Sequence, residues 1–173
     1  MQRVVDRMAG ARILEVGNVL SHYRSQHHTV VDKYEQASGV LNRDIFELSD
    51  LGSFHLVVAV STVEHVGWDE SPRIPGRAVE AIHALRALLA PGGRLVLTVP
   101  VGYNPSLDQA LRAGVVPFEH LVALRRKGGG TAWRQVTPDE AWRAPYDFLL
   151  YSARGVLVAT VGGDATGGGG GGA

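Results

Sequence analysis

Cysteine is absent from the 173-residue chain, which removes disulfides, thiolate metal sites and cysteine nucleophiles together and leaves the redox compartment open. Surplus charge is absent as well. Seventeen basic side chains balance 17 acidic ones, so no overall positive field draws the protein onto nucleic acid phosphates, and a nucleic acid partner is not expected. No run approaches the roughly 20 apolar residues of a membrane-spanning helix. The segment from Met1 to Gly10 also lacks the apolar core of a secretory signal. No membrane partner is therefore expected, and the cytoplasm is the default location. What remains, 45% hydrophobic and 20% charged residues, is the composition of a soluble globular chain long enough for one domain with a sizeable core.

The apolar runs are short and are punctuated by turn residues. Arg12–Gly17 ends at Gly17-Asn18, and His28–Asp32 carries three β-branched residues before a carboxylate. His55–Val60 precedes the polar pair Ser61-Thr62, and Arg94–Pro100 follows a Pro91-Gly92-Gly93 break. Each has the length and composition of a buried parallel strand. Between the last two, Val79, Ile82, Leu85, Leu88 and Leu89 recur at helical spacing, which predicts a helix from Ile74 or Pro75 to Leu89. Strand, helix, strand implies a right-handed crossover and a doubly wound α/β sheet. Val40–Ile45 reads as a short edge strand, Phe46–Leu51 as a turn or brief helix, and Asn104–Ala113 as a helix. Phe118–Arg126 and Val156–Val161 read as late strands pairing antiparallel at the sheet edge. Gly128–Gly130 is expected at a hairpin tip or loop. The stretch with Trp133, Trp142 and Tyr146 has no assignment. Residues 1–162 form the expected domain, and the glycine-rich 163–173, with no apolar surface to bury, the expected disordered tail.

Ile13-Leu14-Glu15-Val16-Gly17-Asn18 resembles the first motif of the class I S-adenosylmethionine (SAM) methyltransferases, a Rossmann-like family. The family usually has two or three glycines in this turn, whereas Val19, Leu20 and Ser21 stand here. Asp32 closes the second strand about fifteen residues later, near the spacing at which Rossmann-type sites place a ribose-binding carboxylate. Asn42-Arg43-Asp44-Ile45, Ser61-Thr62-Val63-Glu64-His65-Val66 and Leu88–Pro100 are similar to later family segments, so the resemblance spans Ala11 to Pro105. It implies SAM as cofactor, with Glu15, Gly17, Asn18, Asp32, Asp44, Ile45 and Ser61 on the cofactor side. His65 is the implied general base with Glu64 to orient it. Trp68, Tyr103 and Asn104 are implied on the side of a small-molecule acceptor.

Other features stay open between chemistry and packing. His22, His27 and His28 are near one another without a completing carboxylate spacing, and no metal site is expected. Arg125-Arg126-Lys127 fits a solvated strand end, or the binding of an acidic group. The glycine-poor turn, and the short stretch before the first strand, also suit a non-catalytic binding or assembly module of the same fold. A dinucleotide or nucleotide-sugar enzyme is a third reading, although its Gly-x-Gly-x-x-Gly is missing. Neither the acceptor nor the oligomeric state is legible in the sequence.

Overall fold

The structure, a computed structural model, describes residues 10–23, 28–128 and 130–162. The predicted disordered tail at 163–173 lies outside them, as do His27 and Gly129.

Eight strands form one sheet: β1 Ile13–Val16, β2 Thr29–Val31, β3 Val40–Leu41, β4 Phe54–Val60, β5 Leu89–Pro100, β6 His120–Arg126, β7 Trp133–Val136 and β8 Gly155–Gly162. Their spatial order is β3-β2-β1-β4-β5-β8-β6-β7. The first five pair in parallel, while β8 pairs antiparallel with both β5 and β6, and β7 pairs antiparallel with β6. The fold is thus α/β with a mostly parallel sheet and an antiparallel section built from the last strands. The chain winds from β1 toward β3 on one side and from β4 toward β5 on the other. The reversal lies between β1 and β4, the place where such sheets open a crevice at the carboxyl ends of their strands.

Side chains alternate between two cores, as the pleat requires. Leu14, Val16, Val57, Ala59, Leu95 and Leu97 enter the larger one, whereas Ile13, Leu56 and Val58 enter a smaller cluster with Leu20 on the opposite face. The larger core is closed by helix α1, Arg77–Ala87, whose Ala78, Ala81, Ile82 and Leu85 are buried at helical spacing. Helix α2, Pro105–Arg112, buries Leu107 and Leu111. A short α3, Pro138–Trp142, is fixed by a capping box between Thr137 and Glu140.

The helix begins at Arg77 rather than at Ile74 or Pro75, β3 ends at Leu41 rather than Ile45, and three further features differ from the sequence expectation. The helix stops at Ala87 rather than Leu89, because Phe54 N–H donates to Leu88 O at 2.8 Å and draws the chain into the sheet, pairing Leu89 with Phe54. Strand β5 therefore starts before Pro91-Gly92-Gly93, and the register breaks there. Gly92 has the expected positive φ of 73°, but Gly93 serves closeness: a Cβ on it would lie 2.7 Å from Phe54 O and 2.8 Å from Ala90 O. Finally, β8 does not lie at the edge. It is inserted between β5 and β6, and the edge is β7, from the stretch left unassigned by its polar, exposed pattern.

Leu97 is wholly buried. Leu97→Ala should lower stability by about 2 to 5 kcal/mol, the cost of lost burial plus the residual cavity, measured by chemical denaturation; a loss under about 1 kcal/mol would contradict a central, two-sided position.

Candidate functional site

The turn after β1 is built around two contacts. Gly17 has φ 83°, a left-handed conformation that costs other residues about 1 to 2 kcal/mol, and a Cβ there would run into Thr62 Oγ1. Thr62 in turn donates from Oγ1 to Val16 O at 3.1 Å and Val60 O at 3.0 Å, tying the end of β1 to the end of β4. Beneath the turn, the fully buried Glu15 carboxylate accepts from Val19 N–H at 2.9 Å and Leu20 N–H at 2.7 Å. Its other oxygen lies 2.8 Å from His28 Nε2. The orphan amides of the turn are in this way satisfied by a carboxylate of the same chain.

Above the turn opens a cleft of about 480 Å³, lined by Gly17, Asn18, Asp32, Asp44, Ile45 and Ser61 among others. This volume lies in the range of small-molecule sites. Asp32 Oδ1 accepts the backbone N–H of Tyr34 and of Glu35, both at 2.8 Å, and Oδ2 is left without a hydrogen bond among the described residues. Asn18 donates to Glu35 Oε1 at 2.7 Å. Asp44 caps the 3-10 turn Ile45–Glu47 and holds Lys33 Nζ at 2.9 Å. Burial raises the Asp44 pKa, but the Lys33 bond, the Phe46 amide and the nearby charges of Lys33 and Arg77 outweigh it and leave the carboxyl below its ordinary value. Lys33 also reaches Glu70 Oε1 at 3.3 Å, so its amine bridges two walls of the cleft. Its pKa is raised, chiefly by the Asp44 bond. Ser61 holds φ 48°, uncommon for a residue with a side chain, and its N–H donates to Thr98 O. Strain of that kind gathers at functional sites.

At the far rim, His65 lines the cleft and its Nδ1 lies 2.6 Å from Asp69 Oδ2. Tyr103 Oη donates to both Asp69 oxygens at 2.8 and 2.9 Å, which makes Tyr151 Oη, 2.9 Å away, the donor to Tyr103. With the Asp69 carboxylate accepting from both sides, His65 carries its proton on Nδ1, and Nε2 is the nitrogen free to accept. The His65 and Tyr103 rings meet edge to face at 4.6 Å. Burial, with the Tyr151 and Asp69 bonds, raises the Tyr103 pKa and keeps the phenol neutral.

No protein-family model and no curated protein matches the sequence. Among solved structures, the N-methyltransferase NodS from Bradyrhizobium japonicum in complex with S-adenosyl-l-homocysteine is similar over 94% of this chain and 83% of that one, at 15% identity and TM-score 0.57. A second NodS structure covers 94% of this chain and 91% of that one, at 13% identity and TM-score 0.52. The chain has the class I methyltransferase fold.

In this methyltransferase fold the residues named from sequence divide into two groups. Gly17, Asn18, Asp32, Asp44, Ile45, Ser61 and His65 do line one cleft. Glu15 does not: it is sealed under the turn, where it holds amides rather than a ligand. Gly17 makes its close approach to Thr62, a side chain of the chain itself. Trp68 lies outside the cleft lining, with the Arg73 guanidinium 4.3 Å over its ring. Asn104 is consumed as the cap of α2, accepting from Leu107 N–H and donating to Glu64 O. Tyr103 is buried and acts on the rim through Asp69. Lys33 and Asp69 were given no individual role by sequence, and Thr62 only as part of the segment Ser61–Val66, because each acts through a partner distant in the chain. Among the described residues no group of metal-ligating side chains occurs, and His28 is bound to Glu15. None of the helices described is long and apolar enough to cross a membrane.

Glu64 is fully buried, with neither oxygen hydrogen-bonded, and so does not orient His65 as the sequence expectation had it. Its Oε1 lies 3.7 Å from His65 Nε2, too far for a hydrogen bond. Burial pushes its pKa up to about 8; its own backbone amide opposes this, and the Asp69 charge adds to it. The fold thus favours the neutral carboxyl. That contribution to stability is whole below the unfolded value near 4.5 and is lost as pH rises through about 8. Wild type should therefore lose on the order of 4 kcal/mol between pH 4.5 and 8 that Glu64→Gln does not lose. Urea unfolding at both ends of that window measures it, and parallel profiles for the two proteins would remove Glu64 as the titrating group.

Proposed function

We propose that the protein transfers a methyl group from SAM to a small-molecule acceptor. The observation that carries this reading is the Asp32 carboxylate at the end of β2. One of its oxygens is fixed by two amides, and the other is free at the mouth of a cleft on the β1/β4 reversal.

The residues present fit the cofactor. Asp32 Oδ2 can accept from a ribose diol, Ile45 offers an apolar wall for a purine, and Gly17 brings the backbone of the turn to the cleft. Asp32, Glu35, Asp44, Asp69 and Glu70 line the cleft against the cations Lys33 and Arg43, a balance that suits a positively charged ligand. Bound there, SAM supplies an electrophilic methyl group on a sulfonium. His65 takes the proton of an acceptor N–H or O–H on Nε2, while Asp69 holds Nδ1–H and stabilises the imidazolium. Tyr103 and Tyr151 fix Asp69 and act as positioning residues. The cleft volume and the lack of surplus positive charge support a small acceptor rather than a nucleic acid.

A binding module of the same fold is the alternative. Two observations favour it: Asp44 is already engaged by Lys33, and the Val19 and Leu20 amides are engaged by Glu15. Calorimetric titration with S-adenosylhomocysteine, SAM and NAD separates the readings. Both adenosyl ligands should bind and NAD should not, and wild type without affinity for either would leave only the module.

Asp32→Ala should weaken S-adenosylhomocysteine binding by about 1.5 to 3 kcal/mol, or roughly tenfold to more than a hundredfold, because hydrogen bonds to charged groups are the stronger ones. It also removes the acceptor of two turn amides, at a cost of about 1 kcal/mol in stability. Asp32→Asn keeps that acceptor and isolates the lost charge. Unchanged affinity in both variants would refute the ribose assignment.

A further inference from the structure

Four arginines, Arg125, Arg126, Arg143 and Arg154, contribute to the lining of a second cavity of about 320 Å³, whose other lining residues are small and uncharged. Among the described residues only one of the four has a carboxylate partner: Arg154 Nη2 lies 2.5 Å from Asp147 Oδ2. Arg126 donates to Ser152 Oγ at 2.6 Å and stands 5.4 Å over the Trp133 ring, and its Nε is buried without a hydrogen-bond partner. The side chains of Arg125 and Arg143 make no hydrogen bond or ion pair among the described residues. Arg125 also stands directly opposite Arg134 across the β6–β7 register, a like-charge placement that destabilises a strand pair. Arg134 is turned to Glu140 at 3.2 Å, so Arg125 is left uncompensated. Stability alone gives no reason to gather guanidinium groups this way.

The topology places the cavity relative to the cleft. Strand β6 ends where β8 begins, Arg125 against Gly155, and β8 begins where β5 ends, Val156 against Pro100. The arginines therefore stand on the same edge of the sheet as Gly17 and Ser61. From β4, which precedes His65, to β6 is three strand spacings, roughly 14 Å. The segment between Pro145 and Arg154 spans that interval: its ends line the arginine cavity, and its Tyr146, Phe148 and Tyr151 rings pack on Tyr103 beside His65 and Asp69.

We propose that this cavity is a phosphate-binding subsite, which holds a phosphate-bearing acceptor by its anionic end while its nucleophilic end reaches His65. Guanidinium forks match phosphate oxygens in pairs, and Arg125 and Arg143, unpartnered, beside Arg126, which has no carboxylate partner, suit a doubly charged phosphate better than a single carboxylate. The word acceptor rests on the methyl-transfer reading; the anion site stands on the arginines alone.

The test titrates the full chain with inorganic phosphate at constant ionic strength, with acetate as a parallel arm and with S-adenosylhomocysteine present or absent. Wild type should bind phosphate in the millimolar range and more tightly than acetate. The double variant Arg125→Ala/Arg143→Ala should bind phosphate at least tenfold more weakly, with its affinity for S-adenosylhomocysteine unchanged and its melting temperature not lowered, since neither side chain has a partner to lose and the Arg125–Arg134 repulsion is relieved. The single variant Arg143→Gln should show part of the same loss. Saturation with S-adenosylhomocysteine should leave phosphate affinity intact. No phosphate binding by wild type, equal affinity in the variants, displacement by S-adenosylhomocysteine, or acetate binding as tightly as phosphate would each overturn the assignment. Failure of S-adenosylhomocysteine to bind would instead remove the methyl-transfer reading, with the phosphate result judged separately.

Discussion

The buried Glu15 carboxylate is the constraint on which the site depends. It is taken fully out of water and answered by two amides and an imidazole, so its desolvation is repaid only while the turn after β1 keeps its shape. That shape puts Gly17 against Thr62, and Thr62 bonds the carbonyls of two neighbouring strands. The floor of the cleft is in this way a single cross-braced unit. A turn with one glycine can hold its conformation because a side chain supplies the acceptor that additional backbone freedom would otherwise have to find in solvent or ligand.

Much of the fold was legible because its signals are local. The strands around Leu14, Val58 and Leu97 are apolar runs, α1 repeats Ala78, Ile82 and Leu85 on one face, and turn residues punctuate both. Legibility failed where a long-range partner decides the outcome. Leu88 and Leu89 continue the helical spacing, yet Phe54 claims them for the sheet. Trp133–Val136 is an edge strand with mostly exposed side chains, so neither alternation nor burial marked it. The position of β8 between β5 and β6 depends on a crossing of the chain that no window of sequence contains.

The candidate site follows the same division. Carboxylates at strand ends, Asp32 and Asp44, could be read from spacing and family resemblance. Glu15 and Glu64 carried equally suggestive positions but prove to be buried, and burial is a property of the whole packing. Asp69 gains its importance from Tyr103, 34 residues away, and Lys33 from Glu70, 37 residues away. Arg125 and Arg126 looked like an ordinary charged strand end until Arg143 and Arg154, from two later segments, were brought beside them.

The insertion of β8 has a consequence for how the protein is made. While the chain emerges from the ribosome, β5 and β6 are both complete long before residues 155–162 exist, and each then presents a row of open backbone donors and acceptors. The two parts of the sheet share no direct pairing and are joined only when the last strand slides between them. Synthesis therefore passes through a stage with two sticky edges facing each other across a missing strand, the moment at which another nascent copy, donating its own β8, would make an exchanged dimer instead of each copy completing its own sheet.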